Sequence, residues 1–207
     1  GNGAEPWRIP DVDELPPIPV TFAKDPVGFQ PYARDPVTLA RPWAIPGTPG
    51  LEHRIGGLEK ENVTGNINYD PDNHDLMIRL RAQKIERIAD DIPEQTVEGP
   101  PSGDVLLVGW GSTYGSIKSA IAGLRESGHR VSQIHLRHIN PFPRNLGTLL
   151  SGFKTVIVPE INSGQLIKLL RAKYLVDAVG FNVVRGLPLR SEEIEGFVEK
   201  HMGGNHA

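Results

Sequence analysis

The sequence predicts an α/β protein organised around a parallel sheet, and three observations lead there. From residue 103 onward, short apolar runs alternate with segments of helical periodicity in the order βαβαβαβα, the pattern of a parallel sheet carrying helices on its faces. The first run, Val105-Leu106-Leu107-Val108-Gly109-Trp110, is apolar at consecutive positions, as a strand buried on both faces requires. The composition also changes near residue 100, where Gly99-Pro100-Pro101-Ser102-Gly103 punctuates the chain.

The elements follow in order. After the strand at 105–110, residues 116–127 carry Ile117, Ala120, Ile121 and Leu124 at helical spacing, and Gly128 can end that helix. Residues 131–136 form the second strand and 145–150 a short helix. Residues 154–159 are the third strand. Residues 165–176 form a helix built on Leu166, Leu169, Leu170 and Tyr174. A short fourth strand falls at 181–184, and Ser191 caps a last helix to Lys200.

The first hundred residues differ. They carry 10 Lys+Arg against 17 Asp+Glu, whereas residues 101–207 carry 12 against 8. Eleven of the 19 prolines lie in residues 1–50, so regular helix and central strand are forbidden there, apart from one short strand around Val20-Thr21-Phe22-Ala23. Trp7, Phe22, Phe29, Tyr32 and Trp43 sit among these prolines. Disordered tails are aromatic-poor, so this segment reads as a chain that wraps over another surface. Residues 51–71 are loop-like. The first helix is expected at 72–90, capped by Asp72 or Asn73, with Leu76, Met77, Leu80, Ile85, Ile88 and Ala89 on one face.

Composition excludes several classes. The formal net charge of -3 argues against a general nucleic-acid binder. No apolar run approaches the ~20 residues that span a bilayer. Zero cysteine excludes disulfides, thiolate iron–sulfur ligation and cysteine nucleophiles within this chain. There is no initiator Met and no signal peptide, and the chain reads as a fragment or a processed product.

Candidate sites gather at the C-terminal ends of parallel strands. Those ends read Trp110-Gly111-Ser112-Thr113-Tyr114-Gly115, Arg137-His138-Ile139-Asn140-Pro141-Phe142 and Glu160-Ile161-Asn162-Ser163-Gly164-Gln165. Gly109-x-Gly111-x-x-x-Gly115 is not a dinucleotide fingerprint and no phosphate-binding lysine follows, so an interface or packing turn is the better reading. One of His135, Arg137 and His138 could meet Glu160, either as a catalytic His–Glu pair or as a contact that fixes two loops. Two histidines without a third ligand do not make a metal site. The run Asp70-x-Asp72-x-His74-Asp75 resembles a calcium loop but lacks its glycine and its terminal glutamate. Asn62-Val63-Thr64 matches a glycosylation acceptor with nothing else pointing to secretion. Arg34, Arg41, His53 and Arg54 stand out in the first half, because an arginine on a rigid Pro-rich loop can clamp a carboxylate. Chemistry alone leaves open whether they bind a substrate or dock a partner.

One family brings these motifs together. Arg41 to His53 (RPWAIPGTPGLEH), Gly56-Gly57-Leu58-Glu59-Lys60, Thr64-Gly65-Asn66 and Asp70-Pro71-Asp72-Asn73-His74 resemble the alpha subunit of 2-oxoacid:ferredoxin oxidoreductases. So do Gly109 to Gly115 (GWGSTYG), Leu136 to Pro143 (LRHINPFP), Val158 to Leu166 (VPEINSGQL), and the opening Glu5-Pro6-Trp7 and Ile9-Pro10-Asp11. The wording is closest to the actinobacterial 2-oxoglutarate type. The chain departs from the pattern at Ser116, where proline is usual, and at Ile161-Asn162-Ser163, where Met-Asn-Leu is usual.

The resemblance implies a reaction and a set of partners. A 2-oxoacid is decarboxylated on thiamine diphosphate with Mg, the acyl group passes to coenzyme A, and electrons leave through an iron–sulfur cluster to ferredoxin. A beta subunit would carry the diphosphate and the cluster, in an alpha2beta2 heterotetramer in the cytoplasm, with no nucleic acid or membrane involved. Residues 1–95 would be the back end of a pyrimidine-binding domain with its Pro-rich connection, and residues 103–200 a transketolase C-terminal-like domain. The activating glutamate of the pyrimidine domain would lie outside this chain, so no catalytic acid or base is assigned. Arg34, Arg41 and His53 become candidates for the substrate entrance. Trp110, Tyr114, Arg137, His138, Glu160 and Asn162 become interface or loop-fixing residues. The competing readings are a non-catalytic α/β module that docks a partner through its Pro-rich arm, and an autonomous nucleotide-binding domain.

Overall fold

A computed structural model describes residues 9–18 and 20–203. Trp7 and the Glu5-Pro6-Trp7 match therefore lie outside the described residues. The chain divides into two compact units, residues 1–84 and 85–207.

The second unit is the expected α/β domain. Strands β1 (Gly103–Trp110), β2 (Val131–Leu136), β3 (Phe153–Glu160) and β4 (Val179–Asn182) form one parallel sheet in the order β2-β1-β3-β4. The helices are α2 (Tyr114–Glu126), α3 (Leu146–Ser151), α4 (Leu166–Tyr174) and α5 (Ser191–Gly203). Alternation along β1 splits the core in two. Val105 and Leu107 pack with Ile117, Ile121, Leu124, Ile194 and Val198 of α2 and α5. Leu106 and Val108 pack with Leu146, Leu150, Leu166 and Leu170 of α3 and α4. Burying both faces of β1 explains its uninterrupted apolar run.

Several boundaries differ from expectation for local physical reasons. Helix α2 begins at Tyr114, two residues before the expected Ser116, because a 3-10 turn at Gly111–Thr113 feeds directly into it. Gly128 ends α2 as expected: it takes a φ of 85°, and His129 N–H reaches back to the Leu124 carbonyl at 2.9 Å. Helix α4 ends at Tyr174 rather than Val176, because Leu175 turns into the left-handed region at φ 53°. Strand β4 occupies 179–182 rather than 181–184. Its register is set by pairing Ile157 with Val179 and Glu160 with Asn182. Ser191 lies in the first turn of α5 rather than preceding it.

The Pro-Gly punctuation before β1 is not free linker. Glu98 and Gln133 exchange both backbone hydrogen bonds (2.9 and 3.2 Å), so the chain before β1 covers the outer edge of β2. Arg125 fastens this strap by donating to the Glu98 carbonyl and to Val131, and Ser132 Oγ donates to the Pro100 carbonyl. An open strand edge is thereby paired.

The first unit has little regular structure before residue 71. A 3-10 turn at Val12–Glu14 is its one helical element among the described residues there. The expected strand around Val20–Ala23 is instead a single bridge, Phe22 to Trp43, because prolines on either side deny it a ladder. Helix α1 (Pro71–Arg87) continues into a 3-10 turn at Ile88–Asp90, close to the expected 72–90. Its cap is neither Asp72 nor Asn73. Asp70 Oδ1 accepts from the backbone N–H of both, at 2.8 and 3.1 Å, with Pro71 at the first helical position. Asn73 ties the helix to the preceding loop, donating to the Lys60 carbonyl and accepting from Asn62 N–H.

Candidate functional site

In a sheet of order β2-β1-β3-β4, the chain leaves β1 to one side and returns on the other, so the crevice between the ends of β1 and β3 is where α/β folds place ligands. Here that crevice is filled. The Trp110 indole Nε1 donates to Glu160 Oε1 at 3.2 Å. The same fully buried carboxylate accepts the first N–H groups of α4, from Leu166 at 2.8 Å and Ile167 at 3.3 Å. A carboxylate at a helix N-terminus is electrostatically favoured, and all three donors would be stranded without it. Glu160 therefore fixes the ends of β1, β3 and α4. The alternative of a His–Glu pair does not hold, because the acceptors of Glu160 go to Trp110 and α4 and not to His135, His138 or Arg137.

The flanking loops are also tied. Thr113 Oγ1 accepts from Trp110 N–H and donates to the Trp110 carbonyl, at 3.1 and 2.9 Å. Asn162 Oδ1 accepts from Gly164 and Gln165 N–H, at 2.9 Å each. Gly109 has no room for a side chain: a Cβ there would lie 2.6 Å from Ile117 and 2.9 Å from Thr113. This close approach, rather than an anion cradle, accounts for the glycine.

The other expected residues meet at the end of β2. Tyr114, His135, Arg137 and His138 line a cleft of about 610 Å³, whose opposite wall is the strap 93–98. The Tyr114 ring meets His135 edge-on at 5.2 Å, its hydroxyl donates to Glu98 at 2.9 Å, and Lys118 donates to that hydroxyl at 3.2 Å. Burial lowers the His135 pKa, and the charge of Arg137 lowers it further against Glu98 and a backbone bond to Gly111. Among the described residues, His135 Nδ1 is buried without a hydrogen-bond partner, as are both amide atoms of Gln133 one pleat away. Sequence reasoning missed Glu98, which acts only once the strap lies on the sheet edge.

In the first unit, Arg34 and Arg41 flank a loop closed by the Asp35 N–H to Ala40 carbonyl bond (2.8 Å). Among the described residues, the Arg34 guanidinium makes only long contacts, 3.4 Å to the Leu39 carbonyl and 3.9 Å to Met77 Sδ, and its buried Nε meets no acceptor. Its pKa is lowered by burial first, then by the charges of Arg41 and Arg81. The Arg41 guanidinium lies over the Tyr32 ring, 4.1 Å from its centroid. His53 is committed elsewhere: Nδ1 lies 2.8 Å from the Leu51 carbonyl and the ring packs on Phe29. Nearby, Glu59 holds Arg81 (3.2 Å) and His74 (2.8 Å), while the buried Lys60 ammonium donates to the carbonyls of Gly56 and Leu58.

The fold and these strand-end loops belong to ferredoxin-linked oxidoreductases. Residues 103–191 match the family model for pyruvate:ferredoxin oxidoreductase core domain II. The chain as a whole is related to the alpha subunits of 2-oxoacid:ferredoxin oxidoreductases. It is 53% identical over all 207 residues to the 2-oxoglutarate oxidoreductase subunit KorA of Mycobacterium tuberculosis, covering 31% of that protein. It is 34% identical over 158 residues to the alpha subunit of 2-oxoacid:ferredoxin oxidoreductase 1 of Aeropyrum pernix, covering 72% of this chain and 24% of that protein. Among solved structures, 2-oxoglutarate:ferredoxin oxidoreductase from Magnetococcus marinus, with 2-oxoglutarate, coenzyme A and succinyl-CoA bound, matches with a TM-score of 0.84. Identity is 30%, over 93% of this chain and 34% of that one. The chain thus spans about a third or less of the length of these relatives.

Proposed function

We propose that this chain is part of the alpha subunit of a thiamine diphosphate-dependent 2-oxoglutarate:ferredoxin oxidoreductase, which decarboxylates the 2-oxoacid, passes the succinyl group to coenzyme A and sends two electrons to ferredoxin. The observation that carries this reading is the 53% identity over all 207 residues, both units included. It also weighs against a non-catalytic docking module. Thiamine diphosphate, when bound, supplies the electron sink for loss of CO₂. The residues of this chain do not fit the cluster. They offer no cysteine thiolate, and among the described residues no three metal-ligating side chains converge. In this reading thiamine diphosphate, Mg and the iron–sulfur cluster sit mainly on a beta subunit, in an alpha2beta2 assembly in the cytoplasm. No helix among the described residues is long and apolar enough to cross a membrane.

The chain's own part is to bind and to hold. Residues 103–200, in the role of a transketolase C-terminal-like domain, present rigid strand ends fixed by Trp110 and Glu160. Tyr114 at the start of α2, and Arg137, His138 and Asn162 on the strand-end loops, are available to a neighbouring subunit. Arg34 and Arg41 offer guanidinium donors to the substrate, and His53 supports the loop beside them.

The test is purification of the intact complex. It should contain a second chain with iron–sulfur absorbance and bound thiamine diphosphate, and should reduce a viologen dye only with 2-oxoglutarate and coenzyme A together. Absence of both the partner and the activity would overturn the reading.

A further inference from the structure

A titratable ring sits under the strap that covers the edge of β2. Among the described residues, His135 leaves its buried Nδ1 unpaired, and Gln133, one pleat back on the same strand, leaves both amide atoms unpaired. The residue opposite His135 on β1 is Gly109, and Nδ1 lies 3.2 Å from where a Cβ on that glycine would stand. The Thr113 hydroxyl on the same side is bonded to Trp110 in both directions. The ionisable groups around the ring are Tyr114 on α2, with Lys118 bonded to its hydroxyl, Glu94 and Glu98 on the strap, and Arg137 and His138 at the strand end. Tyr114 joins the ring to the strap. Its ring meets His135 edge-on at 5.2 Å, while its hydroxyl donates to Glu98 Oε1 at 2.9 Å and Lys118 reaches Glu98 Oε2 at 3.9 Å. The main chain of the same Glu98 is what pairs with Gln133.

We propose that Tyr114 and Glu98 form a proton-operated clasp, in which a proton on His135 opens the 93–98 strap from the edge of β2. A neutral imidazole carries one N–H, whereas an imidazolium carries a donor on each nitrogen and must find an acceptor or water for both. Either way of meeting that need breaks the clasp. Water reaches Nδ1 once Tyr114 swings off the ring, and that movement releases Glu98. If Glu98 turns to the ring as its counter-ion, it leaves the Tyr114 hydroxyl. Burial first, and then repulsion from Arg137, disfavours the charged ring while the strap is closed. The closed strap therefore holds the neutral ring. Opening grows as pH falls below the ordinary imidazole value of 6.5 and is absent above it. The clasp needs no substrate and no partner chain.

The test is hydrogen exchange read by mass spectrometry on the intact complex at about pH 7.5 and about pH 5.5, with labelling times scaled to the intrinsic exchange rate at each pH. Peptides covering 93–100 and 131–136 should exchange severalfold faster at the lower pH, while a peptide covering 153–160 in β3 keeps its scaled rate. His135→Phe keeps a ring against Tyr114 and should abolish the difference, with the strap closed at both values. His138→Gln should leave the difference intact. Equal scaled rates in the wild type would overturn the proposal. So would an undiminished response in His135→Phe, which assigns the titration to Glu94, Glu98 or His138, and so would its loss in His138→Gln. If His135→Phe does not assemble, Tyr114→Phe decides. Without the hydroxyl the strap should exchange fast at both pH values, and a response to acid like that of the wild type would sink the clasp.

Discussion

Trp110 and Glu160, 50 positions apart, meet where β1 and β3 end, and their 3.2 Å hydrogen bond closes the crevice that an α/β sheet of this order would otherwise open. One carboxylate serves an indole and two helix N–H groups, so the strand ends and α4 are braced through a single side chain.

Removing that brace should be costly. Glu160→Ala strands one buried and two part-buried donors and is expected to destabilise the fold by about 2–4 kcal/mol, whereas Trp110→Phe, which leaves the helix cap intact, should cost about 1 kcal/mol beyond packing changes. Denaturant unfolding of both single variants and of the double variant measures this. Simple additivity would show that the indole and the carboxylate are not coupled.

The first unit carries its own acid sensitivity. Arg81's hydrogen bond, aided by His74 and opposed by partial burial, holds the Glu59 carboxyl down at about 2, below its ordinary 4.5. A depressed folded-state pKa means that the unfolded state binds the proton first. The contribution of Glu59 is therefore complete above pH 4.5 and fades as pH falls toward 2. Wild type should lose about 1 kcal/mol more than Glu59→Gln between pH 5 and pH 2.5, after allowance for solvent screening. Equal losses in paired urea titrations would disprove it.

His135 has the opposite proton preference. Its pKa is lowered, chiefly by burial and then by Arg137, so the neutral ring is the folded form and protonation below the ordinary value of 6.5 works against folding. Arg137→Gln should raise the His135 pKa, as read from imidazole nitrogen shifts, and should flatten the fall in stability on acidification from pH 7. A pKa that stays put would show that burial alone sets it.

The strap before β1 depends on one glycine. Gly99 has a φ of 125°, and a Cβ there would lie 2.8 Å from Ser132 Oγ and run into the Arg125 guanidinium. Gly99→Ala should displace Arg125 from Val131 and Glu98 and cost about 2 kcal/mol or more. Hydrogen exchange should then show faster exchange at Glu98 and Gln133 N–H. Unchanged protection there would mean that the strap does not depend on this turn.

What was legible in the sequence was local. The limits of β2 fall at 131–136 as read, because Val131, Ile134 and Leu136 bury themselves whatever the neighbouring strand is. The ends of α2 and α4 moved by two residues, since Tyr114 and Leu175 answer to turns whose geometry periodicity does not encode. The cap of α1 was misassigned because Asp70, Asp72 and Asn73 are all capable acceptors, and only the position of Pro71 inside the first turn separates them.

The sequence by itself determined the α/β class, the alternation of elements, the Pro-rich character of the first unit and the absence of thiolate chemistry, because these follow from composition and spacing along one chain. Only the tertiary structure decided that Glu160 serves Trp110 rather than a histidine, that Glu98 covers a sheet edge, that Arg41 lies over Tyr32, and that His53 is spent on its own loop. Such pairings span 2 to 50 residues. They depend on desolvation and on which acceptors remain free, quantities that do not exist until the chain has closed on itself.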